Sequence, residues 1–538
     1  MGHHWRANTF VTLASLLPLL ALFPFLPSKT APEWSHRTTL AYLTAFGLSY
    51  AYLLLHYTIP FFSSPHRNLP QIPPPSFLLG GMPVLMSRPP GWRMLEYLQA
   101  IPNHGVLYFR GLFYRQAFLI GSTPEVCKQV LNDHAYDYQK PKLSRDFLRR
   151  FLGDGLVVVE GSQHKLQRKA VAPAFSGKHI NDLVPLMWRK SREFVEVVAS
   201  ETQAAGHNGI IEVGKVASHV TLDIIGVACL GRDFKTLYNT DDELAQTYEA
   251  ILNPENPELQ RFFAVNMVLG KWLTSRIPFW KTNRLIEDSE VTLRRICGQL
   301  LAEGKASMSK ESKDVDILSV LLRSSVELTD EDLISQLLTF LAAGHETTSS
   351  ALTWTCYLLA KHPAIQAELR NEITSHIPTS SSDEVTAETF ENMPLLEAIT
   401  KESFRLYPTV PGTIRRAVRD TYLHIDNQVV PVPAGTEIIL PIWGLHRLHF
   451  GADAEVFRPS RWLDGTANKD THAFMTFLHG PRSCIGQNFA RYELRCLISA
   501  VVGRFEMKLT TDKMPIPTGG ITIKPMDGMY LKFKEVKR

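Results

Sequence analysis

The chain has 538 residues, 45% of them hydrophobic and 20% charged, so it holds ample material for a large core. A formal net charge of +4 with no long basic run gives nucleic acid no support as a partner, and sits loosely with a protein near an anionic membrane face. Six scattered cysteines, at 127, 229, 297, 356, 484 and 496, include no C-x-x-C, which argues against a disulfide framework, a zinc ribbon or a dithiol redox motif and for a reducing compartment.

The first 62 residues differ from the rest. TFVTLASLLPLLALFPFLP (9–27) is apolar but broken by Pro18, Pro24 and Pro27, and TLAYLTAFGLSYAYLLLHYTIPFF (39–62) is uncharged apart from His56. The second is long enough to cross a bilayer and the first is borderline, with a cleaved signal peptide as its alternative. Arg6 before them and Arg67 and Arg88 after them put both basic ends on the cytosolic side if both segments cross. If only the second crosses, the body is still cytosolic. The expectation is an anchor over 1–67 with one or two spans (about 9–27 and 39–62). NLPQIPPPSFLLGG follows, so 68–81 reads as a stiff proline-rich hinge ending in a glycine turn.

Residues 82–538 show no internal repeat and no interdomain linker. Helical patterning dominates 124–407. LTDEDLISQLLTFLAAGHETTSSALTWTCYLLAKHP (328–363) predicts a helix over 330–361, roughly 48 Å long, which must cross the whole domain. Thr329 and Asp332 form a capping-box pattern at its start, and His362–Pro363 stops it. Strand patterns fall near 105–120, 421–440 and 521–536. Many helices with a few gathered strands predict a mostly α (α+β) fold.

FLHGPRSCIG (477–486) sets Cys484 among glycines and an arginine. A cysteine that binds iron must be a thiolate, which needs hydrogen-bond donors and positive charge. Gly480 and Gly486 let backbone approach a flat cofactor, Arg482 can reach a carboxylate, and Phe477 can keep water off the sulfur. GQNFARYELRCLISAVV then starts a helix, whose dipole favours negative charge at its N-terminus. The pattern F-x-x-G-x-R-x-C-x-G resembles the haem-binding signature of the cytochrome P450 superfamily of haem-thiolate monooxygenases. The other five cysteines read as small buried hydrophobes.

The remaining family motifs appear in order. KESFRLYP (401–408) matches E-x-x-R with Glu402 and Arg405 three apart, and FRPSRW (457–462) supplies Arg461, which the resemblance places with them in a buried three-way ion pair. Ser460 stands where many members have an acid. AAGHETTSS (342–350) matches the oxygen-activation motif. There the resemblance implies that Gly344 lets the helix approach the porphyrin, that Thr347 bonds back to Ala343 and opens the helix beside the site of oxygen activation, and that Glu346 relays protons. EGSQHKLQRKAVAPAFS (160–176) resembles the propionate-clamping helix, with His164 and Arg168 on one face. His164 stands where many members have tryptophan. In PGTIRRAVRD (411–420), the pattern sends Arg415 rather than Arg416 to a propionate.

The resemblance covers residues 70 to 535. It implies one α-rich domain holding haem b (iron protoporphyrin IX), with the Cys484 thiolate as axial ligand. One oxygen atom from O2 would enter a lipophilic small-molecule substrate. No dinucleotide fingerprint or flavin domain occurs, so electrons would come from an NADPH-dependent flavoprotein reductase docking near Lys401, Arg491 and Arg495. The double-span leader resembles fungal members that make secondary metabolites of polyketide or terpenoid type, in the endoplasmic reticulum membrane with the catalytic domain facing the cytosol. Alternatives are a reductase-independent isomerase or dehydratase, oxidation of fatty acids, sterols or xenobiotics, and a haem sensor. Relatives of the isomerase kind tend to lose the helix threonine, which this chain keeps as Thr347.

Overall fold

The structure is a computed structural model that describes residues 64–536, apart from 77–79, 112–116, 205–207, 308–315, 325, 378–384, 468 and most of 253–279, together with residues 43, 44, 47, 48 and 51. The first apolar leader stretch read as a membrane span lies outside the described residues, and of the second only residues 43, 44, 47, 48 and 51, all helical, are described. The proline-rich segment is docked over its first half: Tyr108 donates its N–H to Pro70 O at 2.8 Å, Ile72 donates back to Tyr108 O at 3.0 Å, and the Ile72 side chain is buried.

Helices make most of the body. Those that position the site are α1 (Gly161–Val171), α2 (Gly177–Gln203), α3 (Val213–Leu230), α4 (Asp330–Lys361), α5 (Pro394–Leu406), α6 (Ile442–Leu448) and α7 (Gln487–Arg504). The long helix α4 has the bounds its sequence announces. Asp332 N–H donates to Thr329 Oγ1 at 3.1 Å, and Thr329 N–H donates to Asp332 Oδ2 at 3.0 Å, which completes the capping box. Acids at 330, 331 and 332 complement the helix dipole.

From Thr348 to Ala360 every side chain of α4 is buried, as a helix in the middle of a domain requires. Trp354 is its largest anchor, stacked on Tyr407 with centroids 4.1 Å apart. Helix α3 runs against α4. Among the described residues it is the one helix long and apolar enough to cross a membrane, but about two-thirds of it is buried in this core.

Strands lie to one side. β1 (Val106–Arg110), β2 (Ala117–Gly121), β3 (Tyr138–Gln139), β5 (Thr413–Ala417) and β8 (Glu437–Leu440) form a sheet in the order β1-β2-β8-β5-β3. β2 pairs parallel with β8, Leu119 opposite Ile438, and the other neighbours are antiparallel. β4 (Ile210–Glu212), β9 (Phe505–Leu509) and β12 (Tyr530–Glu535) form a second sheet. β6 (Thr421–Ile425) pairs with β7 (Gln428–Val432), and β10 (Pro517–Thr518) with β11 (Lys524–Pro525). The mostly α fold with a small β portion therefore stands.

Helices α5 and α6 are tied together through a histidine that sequence inspection passes over. Met475 N–H donates to His446 Nε2 at 2.8 Å, so Nδ1 carries the hydrogen and donates to Arg405 O at 2.9 Å. Burial pushes its pKa down to about 3. In an unfolded chain a histidine titrates near 6.5. Between those values the unfolded state binds a proton that the folded state does not, so stability falls as pH drops from about 6.5 toward 3. Urea midpoints measured across that window should decline more steeply for the wild type than for His446→Gln.

Candidate active site

The cysteine loop runs from Phe477 into the N-terminus of α7. Cys484 N–H donates to Phe477 O at 2.8 Å, and Ser483 N–H donates to Gly480 O at 3.0 Å. Gly480 has φ +75°, and a Cβ there would lie 2.0 Å from Leu131 O. Its lack of a side chain serves the turn and the contact with the 131 carbonyl. A Cβ on Gly486 would meet Phe175 Cε1 at an ordinary 3.7 Å. Phe477 packs edge-on to Phe404, with centroids 5.1 Å apart.

Cys484 is the one cysteine open to a void. The other five are buried in the core, as small hydrophobes should be. Its opening is internal, because protein surrounds the residue on all sides. Burial pushes its thiol up, while the Gly486 N–H and the Arg168 charge pull the other way. Arg168 steadies the loop directly, donating to Ser483 O at 2.8 Å and to Ser483 Oγ at 3.3 Å.

The long helix is open at its middle as well. Ala343 is exposed and Thr347 half-buried, although the turns on either side are closed. Phe175 bridges this helix to the cysteine loop: it stands against Gly486 and meets the Phe340 ring at 5.4 Å. Thr347 donates to Ala343 O at 2.7 Å, the back-bond its sequence position predicts. A Cβ on Gly344 would sit 2.8 Å from Ile225 Cδ1, so the glycine lets α3 approach α4. Glu346 is buried and accepts from Thr522 Oγ1 at 2.8 Å, with Lys524 Nζ 3.0 Å away.

Beside the loop lies an unbalanced cluster of buried charge. Glu160 meets Arg482 Nη2 at 2.6 Å and Lys140 Nζ at 3.8 Å. Arg415 is buried on β5 and donates to neutral acceptors, Thr413 Oγ1 at 2.7 Å and Ile414 O at 2.9 Å, while Arg416 is exposed. His164 is buried with Nδ1 unbonded, and Arg482 Nε is unbonded too. Burial lowers Lys140 to about 7, with Arg415 adding to the effect. Burial first, and then Arg482 and Lys140, lower His164 to about 4. Buried cations with unfilled donors call for anions. An accessible sulfur within the protein, beside cations in excess of acid, fits an anionic group ligated at the sulfur.

Behind α5 the three-way ion pair is present as expected. Arg405 donates to both Glu402 oxygens at 2.9 Å, and Arg461 Nε donates to Glu402 Oε1 at 3.0 Å. Sequence reasoning missed Trp462 Nε1 on Glu402 Oε2 at 2.9 Å. It also missed Asp453, whose Oδ1 lies 3.2 Å from Arg461 Nη1 and supplies the acid that Ser460 lacks. The expected basic docking surface is largely neutralised. Arg495 is buried, and Lys401, Arg491 and Arg495 are all paired with Glu397, Arg495 also with Glu391.

Comparison with known proteins agrees with this geometry. The family model for cytochrome P450 matches residues 70–533. The chain is 38% identical over 511 residues to the cytochrome P450 monooxygenase sphH of Aspergillus fumigatus, covering 91% of this chain and 92% of that protein. It is 35% identical to the cytochrome P450 monooxygenase buaD of Petromyces alliaceus (88% of each chain). It is 31% identical to the cytochrome P450 monooxygenase ALT8 of Alternaria alternata, covering 89% of this chain and 91% of that one. Proteins of this kind are oxidoreductases that carry haem b with a cysteine thiolate as axial ligand. A cysteine loop opening on a buried void under a long threonine-bearing helix, walled by unmatched cations, is accounted for by one conclusion: the chain belongs to the cytochrome P450 family.

Proposed function

We propose that the chain inserts one atom of O2 into a lipophilic small molecule, with two electrons from an NADPH-dependent flavoprotein reductase, as a step in secondary-metabolite biosynthesis of polyketide or terpenoid type. The observation that carries the reading is a pair of open features that Phe175 links: Cys484, and Ala343 with Thr347 on α4. Cys484 would ligate the haem iron, Arg482, Arg415 and His164 would hold the propionates, and Arg168 holds the cysteine loop through Ser483. Phe477 shields the sulfur. When bound, the haem supplies oxygen activation, which the thiolate's electron donation favours. The chain's own task is then to orient substrate, exclude water and deliver protons. Glu346 carries protons and the Thr347 hydroxyl hands them on.

The leader places the enzyme on the endoplasmic reticulum membrane, with its catalytic domain over 82–538 in the cytosol. What supports this is the pair of apolar stretches and the basic flanks Arg6, Arg67 and Arg88.

The first test is the spectrum of the reduced, carbonyl-bound protein, which should show the red-shifted Soret band of a thiolate ligand. A band without that shift would overturn the assignment of Cys484. Metabolite profiles with and without the protein, in a host carrying a reductase, then identify the substrate. Thr347→Ala should leave NADPH consumption running while product falls and peroxide rises. Unchanged coupling would remove Thr347 from proton delivery and reopen the isomerase reading.

A further inference from the structure

The C-terminal turn grips the middle of the long helix at several points. Ser350 Oγ and Trp354 Nε1 both donate to Ile523 O, at 2.6 and 3.3 Å. Ile523 N–H donates to Thr409 O at 2.9 Å. The turn between β10 and β11 depends on Gly519, whose φ is +138° and whose Cβ would lie 1.8 Å from Thr522 O. Backbone so tightly held presents two side chains to one carboxylate. Thr522 takes Glu346 Oε1 and Lys524 stands at Oε2, 3.0 Å away.

Glu346 Oε1 accepts a hydrogen bond from the turn and Oε2 has Lys524 Nζ as an ion-pair neighbour but no hydrogen bond, while the next residue, Thr347, donates its hydroxyl to Ala343 O. The proton carrier and the group it would serve are adjacent in sequence but bonded to different partners. His345, on the same helix, has Nε2 3.9 Å from Glu346 Oε2. Its Nδ1 is committed to Leu341 O at 2.8 Å, its ring lies on Tyr248 from the neighbouring helix, and His219 on α3 adds repulsion. Burial holds His345 below the ordinary histidine range. Of the two bases beside Glu346, Lys524 Nζ at 3.0 Å from Oε2 stands nearer than His345 Nε2 at 3.9 Å. The Lys524 side chain is 22% exposed and that of Glu346 8%, so the pair lies largely out of bulk water.

We propose that Lys524 is a positioning residue that latches Glu346 to the C-terminal turn, and that proton delivery toward Thr347 begins when this latch opens. The inference rests on Glu346 being the proton carrier, as in the function proposed above. A latched carboxylate also restrains waste. Without substrate, protons and electrons reaching O2 yield peroxide: NADPH, O2 and a proton give NADP+ and H2O2, with NADPH oxidised and O2 reduced.

The test uses the full-length holoenzyme with an NADPH-dependent flavoprotein reductase and no substrate. Lys524→Met should raise NADPH oxidation and peroxide release several-fold and shrink the solvent isotope effect, with the reduced carbonyl spectrum intact. Lys524→Arg should behave like the wild type. In a Glu346→Gln background, Lys524→Met should add nothing. Backbone hydrogen exchange over 521–525, read without reductase, should quicken in Lys524→Met and in the milder Lys524→Gln. A Lys524→Met enzyme with unchanged leak, isotope effect and exchange overturns the latch, and so does an effect that persists in full beside Glu346→Gln. If Glu346→Gln changes neither the leak nor the isotope effect, the proton-carrier reading fails and the latch with it. If Glu346→Gln acts while Lys524→Met does not, the latch alone fails.

Discussion

Arg405→Ala is expected to destabilise the folded chain by about 3–5 kcal/mol, the range seen when one partner of a buried ion pair is removed. The Arg405 side chain is fully buried, and each of its three nitrogens is used. Nε and Nη2 hold the two oxygens of Glu402, while Nη1 donates to Ala454 O at 2.6 Å. Alanine would leave Glu402 in place with Arg461 and Trp462, and would leave the Ala454 carbonyl without its donor. A methyl group cannot replace any of this, and water reaches the site poorly. Lysine keeps a charge but not the planar fork, so Arg405→Lys should recover only part of the loss. Denaturant midpoints of the three proteins measure the effect. A change under about 1 kcal/mol, the scale of a surface pair, would show that the cluster contributes little to the fold.

Cys484→Ala is expected to do the reverse: to abolish monooxygenase turnover while leaving the fold nearly untouched. The sulfur opens on a void, so its removal leaves no cavity among packed side chains. The loop is held by the Cys484 N–H, the Gly480 carbonyl and Arg168, all of which survive the substitution. Stability should change by less than about 1 kcal/mol, as at positions outside the packed core. Product formation should fall to background, and the red-shifted carbonyl band should vanish. Cys496→Ala makes the matched control. That sulfur is fully buried in the main core, so its loss should lower stability and spare the spectrum. If Cys484→Ala retained the band, the axial ligand would have to be another residue.

Much of this site was legible because its parts are local in sequence. The capping box of α4 needs only Thr329 and Asp332, the back-bond of Thr347 only Ala343, and the cysteine loop lies within ten residues. The choice of Arg415 over Arg416 came from the family pattern, and strand alternation on β5 turns one inward and the other to solvent. What stayed hidden is what distant segments bring together. Lys140 and Glu160 meet Arg482 across more than 300 residues, and Lys524 reaches Glu346 across 178. Nothing in the spacing around Lys140 sets it apart from a solvated surface lysine. The glycines are a related case. A glycine's need for space is visible in sequence, but its neighbour is not, and for Gly344 and Gly480 the neighbour is protein.

The parallel pairing of β2 with β8 sets the order in which a nascent chain can be completed. Phe118, Leu119 and Ile120 leave the ribosome early, yet their partners Glu437, Ile438 and Ile439 are made some 300 residues later. At roughly 5–20 residues per second, that apolar edge waits on the order of 15–60 s for its neighbour. Expression yield in a foreign host should therefore respond to chaperone supply and translation speed more than to changes on the finished surface.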